Sequence, residues 1–88
     1  MSIAVELTYD MSKVLGVRSF EVNGARTVQD VVRLTRVQFG AERADTFEKL
    51  TRVAAVAVNG VLVNHTRGMK TAIADGDTVT FLKPAAGG

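Results

Sequence analysis

The sequence contains no cysteine. Disulfides, thiolate nucleophiles and Cys-ligated metals are therefore excluded, and any sulfur or acyl chemistry must run through another atom. Histidine occurs once, at His65, without the convergent partners that a metal site or a nucleophile–base pair needs, so it reads as a loop residue. No apolar run approaches the ~20 residues of a membrane span. The start, Met1-Ser2-Ile3-Ala4-Val5-Glu6, has no basic region leading into a long apolar stretch. The expectation is a soluble, cytoplasmic protein with no membrane partner. Charge is not concentrated either: 11 basic and 9 acidic residues are interspersed, for a net charge of +2, which gives nucleic-acid binding little electrostatic support. The carboxylates show no spacing that argues for an acid/base pair and read as solvating charges. Nucleotide-binding loops are missing as well, with neither a GxGxxG nor a Walker-type lysine loop.

What remains is a chain of 88 residues, enough for one domain that buries roughly 60–70% of its unfolded surface. Ile3, Val5, Leu7 and Tyr9 alternate with Ala4, Glu6 and Thr8, the period of a strand with one buried face. The pattern breaks from Asp10 to Gly16 and resumes at Val17-Arg18-Ser19-Phe20-Glu21-Val22, before the turn pair Asn23-Gly24. Two strands joined by a short loop predict an N-terminal hairpin.

Thr27 is an N-cap candidate with Asp30 three residues on, and Val28, Val31, Val32, Thr35 and Phe39 form a core-facing helical stripe that ends at Gly40. The segment 41–51 is polar, with Phe47 and Leu50 as anchors, and reads as either a short second helix or an ordered loop. Val53-Ala54-Ala55-Val56-Ala57-Val58 has the apolar composition of a central strand. Asn59-Gly60 is a hairpin turn into Val61-Leu62-Val63. After a connecting segment from His65, in which Thr71, Ala72 and Ile73 have room for one helical turn, Asp75-Gly76-Asp77 makes a tight turn. The last strand is Thr78-Val79-Thr80-Phe81-Leu82, with Val79 and Phe81 on the core side and Leu82 facing the other way. The fold class that buries all these stripes is α+β, one main helix across a mixed four- to five-stranded sheet.

The strand then runs into Lys83-Pro84-Ala85-Ala86-Gly87-Gly88. Small residues after a proline add nothing to a core, and two glycines let the backbone enter a passage too narrow for side chains. The domain organisation expected is a folded unit, 1–83, with a flexible tail, 84–88.

Three blocks carry a resemblance to a known family: Val56-Ala57-Val58-Asn59-Gly60, Thr71-Ala72-Ile73-Ala74-Asp75-Gly76-Asp77-Thr78-Val79, and Phe81-Leu82-Lys83-Pro84-Ala85-Ala86-Gly87-Gly88. In these the chain resembles the ubiquitin-like β-grasp sulfur carriers, the group of ThiS, the small subunit of molybdopterin synthase (MoaD) and the cysteine-biosynthesis carrier CysO. The second block is most similar to CysO. Lys83 stands where many members of the molybdopterin branch carry proline.

The resemblance implies a β-grasp fold with the first and last strands parallel and central. It implies a carrier rather than an enzyme, one that binds no cofactor. Its Gly88 carboxylate would be adenylated by an E1-like adenylyltransferase that uses ATP, then converted to a thiocarboxylate. Gly87 would give the tail its access, and Phe81, Leu82 and Pro84 would form the partner-facing base. The sulfur-accepting partner would be a synthase of the cysteine synthase, molybdopterin synthase large subunit or thiazole synthase type. Two alternatives stay open: a ubiquitin-like modifier joined to lysines through Gly88, and a noncatalytic β-grasp binding module. Lys13, Lys49, Lys70 and Lys83 are the acceptors available for conjugation between copies.

Overall fold

Ile3 and Val5 are buried while their neighbours are not, and this alternation makes β1 (Ser2–Glu6) a half-buried strand. The strand stops at Glu6 rather than continuing to Tyr9, because Thr8 caps a helix that the alternation concealed. The Thr8 hydroxyl accepts from the Met11 N–H at 3.1 Å, and Gly16, at φ 79°, supplies the left-handed C-cap whose N–H donates to Ser12 O at 2.8 Å. Between these caps α1 (Tyr9–Leu15) turns Met11 and Leu15 into the core. The expected hairpin is thus a pair of antiparallel neighbours joined by a helix. β2 (Ser19–Asn23) pairs with β1 from Ser2↔Asn23 to Glu6↔Ser19.

α2 (Val28–Phe39) begins where the sequence places it. The Thr27 hydroxyl accepts from the Asp30 N–H at 3.2 Å, and Asp30 reaches back to the Arg26 N–H at 3.0 Å. The stripe faces the core, with Val28, Val31 and Thr35 fully buried; the Thr35 hydroxyl donates to the Val31 carbonyl at 2.7 Å and so carries no unmet polar group inward. Segment 41–51 is a helix, α3 (Ala41–Thr51), whose Phe47 is 0% exposed. Arg36 on α2 bonds both Asp45 and Glu48 on α3, which ties the two helices across Gly40.

β3 (Ala55–Val58) and β4 (Val61–Leu62) form a hairpin on Asn59 (φ 50°) and Gly60 (φ 84°), the pair of left-handed residues that a two-residue turn of matching twist requires. A 3₁₀ turn occupies Gly68–Lys70, three residues before the helical turn expected at Thr71 to Ile73; Ala72 instead bridges Thr27. β5 (Thr78–Leu82) closes the sheet, which runs β2-β1-β5-β3-β4 with β1 and β5 parallel at its centre and the other pairs antiparallel.

The computed structural model describes residues 2–63 and 68–83. His65 and the segment 84–88 lie outside the described residues. The core lies between the sheet and the helices, where Phe81 of β5 meets Phe47 of α3 edge-on at 5.5 Å and Phe20 meets Phe39 at 4.9 Å. No helix among the described residues is long and apolar enough to cross a membrane.

Candidate functional site

Parallel pairing of β1 with β5 brings the C-terminal ends of both strands to one pole of the sheet, so Leu82 and Lys83 stand beside Glu6, Leu7 and Thr8. Two depressions flank this exit. An open groove of about 480 Å³ takes in Glu6, Tyr9, Arg18, Thr80 and Lys83, and a small one of about 50 Å³ lies between Met11, Leu50 and Val53. Three apolar side chains remain in water around it: Leu82 at 40% exposure, Val53 at 64% and Tyr9 at 70%, the last with the Lys13 ammonium 5.2 Å from its ring centroid.

The sheet face away from the helices continues this exposed apolar surface. Register sets Ala55 opposite Leu82, and Ala57 opposite both Thr80 and Leu62, so all of these project from the same face. Of the two small residues of β3 between Leu82 and the 54% exposed Leu62, Ala55 is partly exposed and Ala57, at 3%, is covered by its neighbours. Toward β1 and β2 the face turns polar, with Glu6 accepting from the Thr80 hydroxyl at 3.0 Å and Glu21 exposed opposite Ala4.

At the other pole the start of β5 is tied down. Asp77 accepts the Ala74 N–H at 2.7 Å and the Asn59 amide at 2.9 Å, while Asn59 accepts the Thr78 N–H at 2.9 Å. Asp75 accepts the Ser2 N–H at 2.6 Å. The Ala74 amide first, and then the Asn59 side chain, favour the ionised form of Asp77 and lower its pKa below the ordinary 3.8. No group of three or more His, Cys, Asp or Glu side chains among the described residues is placed to hold a metal ion.

The sequence profile of the ThiS family matches residues 10–88. The chain belongs to the ThiS family. That membership places it among small ubiquitin-like proteins of the sulfur-carrier and modifier type, which are carriers rather than enzymes. Solved structures share the fold. The Amycolatopsis orientalis BexX/CysO complex contains a chain 29% identical, aligned over 98% of this chain and 99% of that one with a TM-score of 0.75. CysO of Mycobacterium tuberculosis is 24% identical over 92% of this chain and 97% of its own, also at 0.75. Small archaeal modifier protein 1 of Methanosarcina acetivorans shares the fold at 0.77, with 18% identity over 99% and 96%. No curated protein matches significantly.

In this ThiS-family fold the residues singled out from the sequence part company. Leu82 lies where expected, on the exposed face at the exit. Phe81 is 1% exposed and packs on Phe47, so it supports the exit strand from beneath and offers no surface of its own. Pro84, Gly87 and Gly88 lie outside the described residues. Tyr9 and Val53 were missed as exit residues. For Tyr9 the signal was present in the frame from Thr8 to Gly16, a cap and a stop around one short helix; Val53 carried no signal, being read as part of the following strand.

Proposed function

We propose that this ThiS-family chain is a sulfur carrier whose Gly88 carboxylate is activated by a partner enzyme. A carboxylate is a poor electrophile. An E1-like adenylyltransferase would join it to AMP from ATP with release of pyrophosphate; attack by a sulfide donor would then expel AMP and leave the thiocarboxylate. Nothing in the chain resembles a nucleotide-binding loop, which is why activation is assigned to the partner. The observation that carries the reading is the ThiS-family match running through the diglycine, on a chain whose last strand leads to an exposed exit.

Docking is assigned to the apolar side of the open sheet face, where Leu82, Leu62 and the partly exposed Ala55 offer a surface beside the exit. Pro84 would stiffen the tail as it leaves, and Gly87 would let it enter a narrow channel. Proteins of similar fold occur in complexes, CysO with BexX and subunit 1 with subunit 2 of a molybdopterin-converting factor. They support a sulfur-accepting synthase as the second partner here.

The test is intact mass after incubation with a matching E1-like enzyme, ATP and a sulfide source. The expected gain equals the exchange of one oxygen for sulfur, and it disappears in a variant lacking Gly87 and Gly88. No gain with a competent enzyme sinks the proposal. The second reading, a modifier joined to lysines, is favoured by the structural likeness to proteins named small archaeal modifiers. It predicts slower-migrating conjugates in cells that need Gly88 and break at isopeptide bonds.

A further inference from the structure

The helical side of the molecule carries a second surface that the tail reading does not use. A groove of about 850 Å³ lies between α2, α3 and the 3₁₀ turn, and continues through Thr51, Arg52 and Met69 into a depression of about 500 Å³ that reaches Val53 and Val63. Val32 and Met69, both partly buried against the core, give it an apolar floor. Arg33, Arg36, Arg52 and Lys70 line it together with two carboxylates, Asp30 and Glu48. That excess of two positive charges equals the formal net charge of the whole chain.

The charges are not equally engaged. Arg36 is held by Glu48 and by Asp45, and Asp30 faces Arg33 at 3.4 Å while bonding the Arg26 N–H. Arg52 and Lys70 are exposed and form no ion pair among the described residues. Both line the same groove as Val32 and Met69, with Lys70 next to Met69 in the chain, so the uncompensated charge shares the groove with the apolar floor.

We propose that this groove docks an acidic amphipathic helix of a partner protein, apolar side on Val32 and Met69 and carboxylates toward Arg52, Lys70 and Arg33. A small anion would use the rim and leave the floor in water. An amphipathic helix offers both features at once, an apolar stripe for the floor and carboxylates for the basic rim. The site lies across the core from the open sheet face, so a protein held here leaves that face free.

The test uses the full chain, labelled with ¹⁵N, and a synthetic peptide of about 14 residues, four helical turns, built only from Glu, Leu and Ala in an amphipathic pattern. Amide shifts are expected at Val32, Arg33, Arg52, Met69 and Lys70, with binding that weakens as salt is raised. The R52E/K70E variant should bind about tenfold more weakly at low salt while its circular dichroism is unchanged. Shifts confined to the open sheet face, or equal binding by R52E/K70E, overturn the proposal. So does equal binding of a Lys-for-Glu peptide. Equal occupancy by inorganic phosphate or polyglutamate would make it a simple anion site and overturn the helix reading, and concentration-dependent self-association through these residues would assign the groove to a second copy.

Discussion

The two ends of β5 are built on opposite plans. At Asp77 the backbone and side chains exchange hydrogen bonds with Ala74, Asn59 and the start of β1. At Leu82 and Lys83, five residues on, the strand passes between shallow depressions with Leu82, Tyr9 and Val53 in water around it. A single strand is thus anchored at one pole and presented at the other. The difference teaches that the hydrogen-bonded anchoring lies at the start of the strand rather than at its end, which on the proposed function leaves the exit open for a partner to complete.

The comparison is tested most severely at its pivot. Phe81→Ala removes the ring that packs on Phe47 beneath the exit and should cost about 3–5 kcal/mol, read from urea unfolding. A loss below about 1 kcal/mol would mean that the exit strand is not held from the core side. Next comes the anchored pole. Asn59→Ala loses both side-chain hydrogen bonds and puts a Cβ-branched-free but non-glycine residue at φ 50°, so unfolding should come about 1–2 kcal/mol sooner.

Asp77 gives that pole a pH signature. Its folded pKa lies below the unfolded 3.8, so its contribution is complete above that value and is lost as pH falls through the folded one. Asp77→Asn should therefore flatten the acid limb of a stability profile below about pH 4 and leave its slope near neutrality unchanged. An unaltered acid limb would remove Asp77 from the anchoring network. The smallest change in stability belongs to the presented pole. Leu82→Ser should shift unfolding by about 1 kcal/mol or less, since the side chain is already part-solvated. The same variant should sharply slow the partner-dependent mass change at the tail, and a rate equal to that of the parent chain would place docking elsewhere.

Much of this organisation is legible in the sequence because it is written in periods. The stripe from Val28 to Phe39, its Thr27 cap, and the alternation of Val79 and Phe81 against Leu82 give α2 and β5 directly. Asn59-Gly60 fixes the β3–β4 turn by its backbone requirement. The parallel neighbours β1 and β5 came only through family resemblance, since no local pattern records which strands pair across the chain. α1 was hidden because Leu7 and Tyr9 extend an alternation that Thr8 ends by capping, a case of side-chain hydrogen bonding overriding periodicity. The basic groove was invisible for a different reason. Arg33, Arg36, Arg52 and Lys70 are scattered over 38 positions, and only the packing of α2, α3 and the 3₁₀ turn gathers them.

The central parallel pair also bears on synthesis. Ala4, Val5 and Glu6 find Thr78, Val79 and Thr80 only after β5 itself has left the ribosome, so the middle of the sheet is the last part of it that can assemble. Products that stop short of β5 lack that middle strand and the Phe47–Phe81 contact with it. Such fragments would leave β1 and β3 without the strand that joins them, so the sheet could form only as two separate pairs.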